Sequence, residues 1–210
     1  IKFKKDPQVP SDAQVGDELY DDNPLDRGHL ARRADLLWGT LSEARQANID
    51  SFFFTNITPQ HEAFNQSSAN GIWGSLEDAI FADVDIEDLR ITVMGGPIFS
   101  NSDPVYRGIQ LPKQFWKTIY FRETGNPAIK VKGYVLTQAD LLNQLEVLEL
   151  PEFSVYEIPI SRISQMTGLS LQSVTEEQTL GNVHRKRGRK VTELVKEKIR
   201  RISSVSEILG

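Results

Sequence analysis

The sequence has no cysteine among its 210 residues. This absence excludes a disulfide-stabilised scaffold, a cysteine nucleophile and any metal site built on thiolates. Long apolar runs are also lacking: no stretch approaches the roughly 18 consecutive apolar residues of a membrane-spanning helix, so we expect no membrane partner. The chain does not begin with methionine but with Ile1, and we therefore expect the native N-terminus to lie upstream.

The composition that remains is globular, with an uneven distribution of charge. Hydrophobic residues make up 39% and charged residues 25%, which is enough apolar material for a core. The net charge is −5, but Arg185–Arg201 has nine basic and two acidic residues, a net of +7, which leaves −12 elsewhere. Two interpretations of this basic segment stay open: a solvated helix face, or a contact to nucleic-acid phosphates.

Apolar periodicity and turn residues predict an α+β fold, with a central antiparallel sheet flanked by helices. The predicted helices span 34–47, 70–81, 192–202 and a short segment capped by Ser161 that ends at Gly168. The predicted strands span 51–57, 89–94, 115–122, 129–137 and 153–158. We expect one domain over 1–170, followed by a polar linker and a basic C-terminal helix over 171–210.

The segment Asp26-Arg27-Gly28-His29 is the first candidate for chemistry. A glycine before the histidine allows the backbone to approach a ligand closely. An imidazole with a pKa near 6.5 suits a general base. The alternative interpretation is a histidine in the turn of an acidic surface loop.

A second set of motifs follows the first in a fixed order. The chain reads TNITPQ at 55–60, then Asn65, then WGSLE at 73–77, with MGGPIF at 94–99 and FWK at 115–117 further on. Together with DRGH at 26–29, this combination resembles the DNA/RNA non-specific endonucleases, the ββα-metal nucleases. The resemblance covers roughly residues 3–170 and implies a strand–strand–helix active site that hydrolyses phosphodiester bonds of DNA and RNA.

The resemblance implies roles for three residues at the centre of that site. His29 is the general base that takes a proton from the attacking water. Asn65 is the direct protein ligand of Mg2+, for which Mn2+ or another divalent ion can substitute, and an amide oxygen suits so hard a cation. Glu77 holds metal-bound waters. Asn70 remains an alternative ligand, because Trp73 follows Asn65 by eight positions where better-known members have a spacing of four.

The remaining site residues support catalysis or contact the substrate. The resemblance places Arg27 beside the phosphate and makes Asn56 a supporting residue of the catalytic group. Arg32 and Arg33 are candidate substrate contacts, because the family's upstream arginine falls near Ile1 and an arginine after the glutamate is replaced by Phe81. The alternative is that both arginines face solvent, which is the more frequent position for arginines after such a loop.

Three functions compete on this evidence. The first is a Mg2+-dependent, sugar-non-specific endonuclease acting on DNA and RNA. The second is a nucleic-acid-binding module of the same fold with weakened catalysis, and the third is a metal phosphoesterase with a small substrate. The sequence leaves the oligomeric state open, and the family's secreted bacterial members favour an extracytoplasmic location in a bacterium.

Overall fold

The computed structural model describes residues 1–65, 73–74, 76–78, 91–122, 129–138, 154–171 and 200–202. Its strands are β1 Leu25–His29, β2 Ile57–His61, β3 Ile91–Ile98, β4 Val105–Tyr106, β5 Ile109–Gln110, β6 Gln114–Phe121, β7 Lys130–Thr137, β8 Ser154–Glu157 and β9 Arg200–Ile202. Its helices are α1 Leu41–Asp50, α2 Glu62–Asn65 and α3 Ile160–Thr167. No helix in these ranges is long and apolar enough to cross a membrane.

The largest sheet is antiparallel and has the strand order β3-β6-β7-β8-β9. Alternate side chains of β6 enter two different cores, as the pleat of a strand requires. Phe115 and Ile119 pack on one face with Phe64, Trp73, Leu76 and their neighbours. Trp116 and Tyr120 pack on the other face, against α3. Helices on a central antiparallel sheet confirm the predicted α+β class.

A second, two-stranded antiparallel sheet consists of β1 and β2. It is joined to the large sheet by a hydrogen bond from His61 to Gln138, the residue after β7. Its register places Asp26 opposite Gln60 and His29 opposite Ile57. One side of the pair closes on a third core of Leu19, Tyr20, Leu25, Phe54 and Leu111. The helix α2 begins immediately after β2, so the chain forms a strand–strand–helix unit in which 27 residues separate the two strands.

Two predictions near this unit are wrong in their boundaries. The predicted helix 34–47 is a 3-10 turn over 33–36 followed by α1, which begins at Leu41. Gly39 breaks the helix with a φ of 82°, and Thr40 with Glu43 forms the capping box of α1. The predicted strand 51–57 is wrong, because a 3-10 turn spans Phe54–Asn56. The strand is Ile57–His61 and runs through Thr58-Pro59, where the sequence predicts that it ends.

In the large sheet the predictions hold better. The strands predicted at 115–122, 129–137 and 153–158 are confirmed as β6, β7 and β8 within two residues. The predicted strand 89–94 corresponds to β3, with 89–90 outside the described residues, and β3 continues through Gly95-Gly96-Pro97, which pair with β6. Helix α3 ends at Gly168, as predicted, but Pro159 rather than Ser161 is its N-cap.

The predictions for the C-terminal region mostly fall outside the described residues. The predicted helix 192–202 is wrong at its end, because Arg200–Ile202 form β9 and pair with Val155–Glu157. Pairing with β8 satisfies backbone groups of Arg200–Ile202 and so overrides the helical pattern at these residues. Of the predicted helix 70–81, Trp73, Gly74 and residues 76–78 are helical, and the rest lies outside the described residues.

Candidate active site

The start of α2 is fixed by the last residue of β2. The backbone N–H of Ala63 donates a hydrogen bond of 3.2 Å to Nδ1 of His61. The backbone N–H of His61 in turn donates to Oε1 of Gln138 at 2.8 Å. His61 therefore ties β2, α2 and the end of β7 together, which gives it a local structural function at the site.

Asn65, the last described residue of α2, reaches back to β1. Its Nδ2 donates a hydrogen bond of 2.9 Å to Oδ2 of Asp26. A carboxylate can only accept, so this bond decides which end of the amide faces β1. Among the described residues no donor reaches Oδ1 of Asn65, the atom that an oxygen-seeking cation would use.

Gln60 lies on the same side of the β1-β2 pair as Asp26, its register partner. The side chain is fully buried, and neither Nε2 nor Oε1 has a hydrogen-bond partner in the described part of the chain. A Cβ at Gly28 would overlap this amide, so the glycine is what gives the Gln60 side chain its place. Sequence reasoning used Gln60 only to align the motif and missed it as a site residue.

His29 ends β1 and is packed among aromatic rings. Its ring centroid lies 5.8 Å from that of Phe3 and 5.3 Å from that of Phe52. Burial lowers the pKa of His29 below its ordinary value, and the nearby charge of Arg33 lowers it further. Nε2 is buried and has no hydrogen-bond partner among the described residues. A histidine held neutral with an uncommitted nitrogen has the state that a general base needs.

Arg27 shares the His29 side of β1. Its Nε donates to Oδ1 of Asp17 at 2.8 Å, and an Nη lies 2.7 Å from the same oxygen. The guanidinium also lies 4.8 Å from the ring centroid of Tyr20 and 5.7 Å from that of Phe3. The exposed Asp17 and two aromatic faces thus fix the position of this cation within two residues of His29.

Asn56 fixes the loop that follows His29. Its Oδ1 accepts from the backbone N–H of Ala31 at 2.9 Å, and its Nδ2 donates to the carbonyls of Ala31 at 3.0 Å and Ser51 at 3.1 Å. The backbone carbonyl of Asn56 also accepts from Leu30 at 2.9 Å. These bonds place Asn56 as a support of the loop that follows His29.

Glu77 lies on the helical segment that packs against the large sheet. Its Oε1 accepts from Nζ of Lys117 at 2.7 Å, and both side chains are almost fully buried. The ammonium also lies 4.2 Å from the ring centroid of Trp73. Burial raises the pKa of Glu77, and the charge of Lys117 opposes part of that rise. Sequence reasoning quoted Lys117 within FWK but gave it no function.

The two arginines after the motif both have partners in the protein. An Nη of Arg32 lies 2.7 Å from Oδ1 of Asp78, the residue after Glu77. Nε of Arg33 donates to Oδ1 of Asn48 in α1 at 2.6 Å. Arg32 thus links the loop after β1 to the Glu77 segment, and Arg33 holds its positive charge near His29.

These contacts join some of the predicted residues and not others. Asn65 is bonded to Asp26, Arg32 to Asp78 and Glu77 to Lys117, whereas in the described ranges no hydrogen bond links His29 to Asn65 or Glu77. The same ranges contain no cluster of three His, Cys, Asp or Glu side chains able to hold a metal. The donor set therefore fits a cation that takes one amide oxygen and keeps most of its waters, as Mg2+ does. Asn70 lies outside the described residues.

Comparison with known families and sequences finds one family match and several related proteins. A family model described as DNA/RNA non-specific endonuclease matches residues 1–178. The uncharacterized protein y4fB of Sinorhizobium fredii is 36% identical over 177 residues, which cover 78% of this chain and 26% of that protein. Human mitochondrial endonuclease G is 26% identical over 179 residues, covering 80% of this chain and 54% of that protein. Mitochondrial nuclease EXOG of Xenopus laevis is 25% identical over 181 residues, covering 80% and 46%.

The fold has a relative among solved structures as well. A chain of the EndoG/EndoGI complex superposes with a TM-score of 0.60 at 19% identity, covering 85% of this chain and 71% of that chain. At this identity the likeness concerns the fold. The chain spans between about a quarter and just over half of the length of the curated relatives it matches.

Proposed function

This chain belongs to the DNA/RNA non-specific endonuclease family, and we propose that it is a Mg2+-dependent, sugar-non-specific endonuclease of DNA and RNA. One observation carries the proposal furthest. His29, the last residue of the DRGH motif, is held neutral by burial and keeps a buried Nε2 free of hydrogen-bond partners among the described residues. A structural histidine buried to this extent normally satisfies its nitrogens, so the uncommitted atom points to a chemical function.

The chain's own residues perform the proposed hydrolysis in a simple sequence. His29 takes the proton of a water molecule whose oxygen attacks phosphorus. The bond from phosphorus to the 3′ oxygen breaks, and this oxygen takes up a proton from water to become a 3′ hydroxyl. The products carry 5′-phosphate ends. Arg27, held by Asp17 and Tyr20, supplies positive charge beside the phosphate. Asn56 keeps the loop after His29 in position, and Arg32 and Arg33 of that loop are further candidates for contact with the nucleic-acid backbone.

The residues present also fit the divalent ion that the family implies. Oδ1 of Asn65 would bind the ion directly, and Glu77 would hold its waters. A bound Mg2+ would stabilise negative charge on the phosphate and the leaving oxygen. Lys117 keeps one carboxylate oxygen of Glu77 occupied, so a single carboxylate orientation faces the site. The buried amide of Gln60, which has no hydrogen-bond partner in the part of the chain that the structure describes, lies opposite Asp26 and would suit a hydrogen bond to a water of the ion.

Digestion of plasmid DNA and of structured RNA, each with Mg2+ and with EDTA, tests this function. The proposal predicts cleavage of both substrates in Mg2+, no cleavage in EDTA, and 5′-phosphate ends that ligase accepts. Binding of both nucleic acids without cleavage would instead identify a binding module with weakened catalysis. Hydrolysis of a chromogenic diester without cleavage of DNA or RNA would identify a small-substrate phosphoesterase.

A further inference from the structure

We propose that Asp26 is a positioning residue, which orients the amide of Asn65 so that the carbonyl oxygen is presented to the metal ion. The inference rests on the proposed function and extends it to a residue with no role assigned so far. Asp26 lies on β1 and Asn65 at the end of α2, and the bond of 2.9 Å from Nδ2 to Oδ2 joins these two elements across 39 positions of sequence.

The argument depends on the chemistry of an amide. An asparagine side chain presents either an oxygen or an NH2 group after a rotation of about 180°, and the two have nearly the same shape. Only the oxygen binds a cation. An ionised carboxylate accepts hydrogen bonds and donates none, so Asp26 binds the NH2 group and turns the oxygen away from β1. Without it, part of the population would present NH2 to the ion.

The surroundings of Asp26 favour this function over a simple ion pair with the neighbouring arginine. The guanidinium of Arg27 contacts Asp17, Tyr20 and Phe3, all on the opposite side of β1. The register partner of Asp26 is Gln60, a neutral amide, and its partner on α2 is Asn65, another neutral amide. Burial lowers the pKa of His61, and the carboxylate of Asp26 lies close enough to that imidazole for its charge to oppose part of the fall. The carboxylate nevertheless accepts its hydrogen bond from the amide of Asn65, a group that it can orient.

Binding of Mn2+ alone, followed by water-proton relaxation, tests the inference without any need for turnover. We expect Asp26→Ala to weaken Mn2+ affinity about 10–100-fold, the usual effect of removing a partner that orients a metal ligand. Asp26→Asn should keep most of the affinity, because its side-chain oxygen can accept the same bond. Asp103→Ala is the matched control: this carboxylate accepts from the N–H groups of Ser100 and Lys113, and its loss should leave Mn2+ affinity unchanged.

A double-variant cycle separates positioning from structural damage. Asp26→Ala should cause no further loss of Mn2+ affinity when Asn65 is already alanine, since Asp26 acts through that side chain. A further loss in the double variant would overturn the inference, as would Mn2+ affinity of wild-type strength in Asp26→Ala. Should Asp26→Ala lose its native circular dichroism, Asp26→Ser, which is too short to reach the amide, replaces it with the same expectations.

The same experiment distinguishes this inference from the function on which it rests. If Asn65→Ala binds Mn2+ as tightly as the wild type, Asn65 is not the ligand and the proposed metal site is wrong. If Asn65→Ala loses Mn2+ affinity while Asp26→Ala does not, the metal site stands and the positioning function of Asp26 is wrong.

Discussion

The two sides of strand β1 differ in how each prepares a functional group. On one side, Arg27 and His29 lie against the aromatic rings of Phe3, Tyr20 and Phe52. On the other, Asp26 meets the amide of Asn65, with Gln60 opposite it in the register. Both sides derive from one tetrapeptide, because successive residues of a strand point in opposite directions.

The difference shows two physical means of preparing a group for chemistry. On the aromatic side, loss of hydration keeps the imidazole of His29 neutral, since burial disfavours the charged form. On the amide side, a directed hydrogen bond fixes an oxygen in space while the group stays uncharged. Substitutions on the aromatic side should therefore change the rate and its pH dependence, and substitutions on the amide side should change the response to metal.

The largest effect is expected on the aromatic side. His29→Ala should lower kcat by at least about two orders of magnitude, the usual contribution of a general base. Because the ring packs against Phe3 and Phe52, a modest loss of thermal stability should accompany it. Plasmid cleavage and a melting curve of the same preparation measure the two effects.

His61→Ala is the matched histidine control for that comparison. It removes the acceptor of the Ala63 N–H, so it should weaken the start of α2 and lower activity less than His29→Ala does. A folded His29→Ala protein that cleaves at the wild-type rate would show that another group is the base.

The second effect compares the two predicted metal-site residues. Asn65→Ala should raise the Mg2+ concentration for half-maximal activity more than Glu77→Ala, since Asn65 is proposed to touch the ion directly. Changes in groups that act through water typically cost about 10–100-fold. Mg2+ titration of the rate for both variants measures this difference.

Two outcomes of that titration would change the assignment. A normal Mg2+ optimum in Asn65→Ala together with a shifted one in Asn70→Ala would move the ligand to Asn70. A larger shift in Glu77→Ala than in Asn65→Ala would make the carboxylate a direct ligand. Lys117→Met, which removes the partner of Glu77, would then be expected to follow Glu77→Ala.

A third effect concerns the glycine between the two sides. Gly28→Ala places a methyl group in overlap with the amide and Cγ of the fully buried Gln60, so that side chain must shift. Overpacking of this kind costs about 1–3 kcal/mol, so the free energy of unfolding should fall by that amount. The double variant Gly28→Ala/Gln60→Ala should lose less free energy of unfolding than the two single variants lose together. Denaturant titration of the four proteins decides, and strictly additive losses would contradict the packing argument.

The smallest effect is a shift in pH dependence. Arg33→Ala removes a positive charge that lowers the pKa of His29, so that pKa should rise and the acid limb of kcat/KM should move to higher pH. Arg33→Lys keeps the charge and should leave the limb in place. A limb that moves to lower pH in Arg33→Ala, or moves equally in both variants, would show that His29 does not control it.

The same pKa has a consequence for stability with a definite sign. His29 binds its proton less readily in the folded than in the unfolded protein, so the unfolded state takes up more protons as the pH falls. Its contribution to stability is therefore complete above the ordinary histidine pKa of about 6.5 and is lost as the pH falls through the folded value. His29→Gln should remove this part of the acid destabilisation.

Prediction from the sequence succeeded where local pattern and fold agree. Strands β6 and β7 lie within one residue of their predicted bounds, and Gly168 ends α3 in the left-handed conformation with a φ of 73°. The segment 51–57 was wrongly predicted as a strand, because its run of phenylalanines serves core packing and not a strand. Phe54 fills the third core from a 3-10 turn, so its burial follows from tertiary packing rather than from a pleat.

At the site, sequence motifs identified the residues but not their partners. The Lys117–Glu77 pair spans 40 positions and the Asn65–Asp26 bond spans 39, and no local period connects such residues. Gln60 was missed because its burial depends on the missing side chain of Gly28 across the strand pair. The glycine of DRGH is the local sign of this packing, because the side chain of Gln60 occupies the space that a Cβ at position 28 would fill.

The most direct test is the rate of plasmid cleavage as a function of Mg2+ concentration for the wild type, His29→Ala and Asn65→Ala. A base on one side of β1 and a metal ligand on the other predict two different curves. His29→Ala should lower the plateau and leave the midpoint in place, whereas Asn65→Ala should move the midpoint to higher Mg2+. Wild-type cleavage that persists in EDTA, or a shifted midpoint in His29→Ala with an unchanged one in Asn65→Ala, would contradict this division of functions.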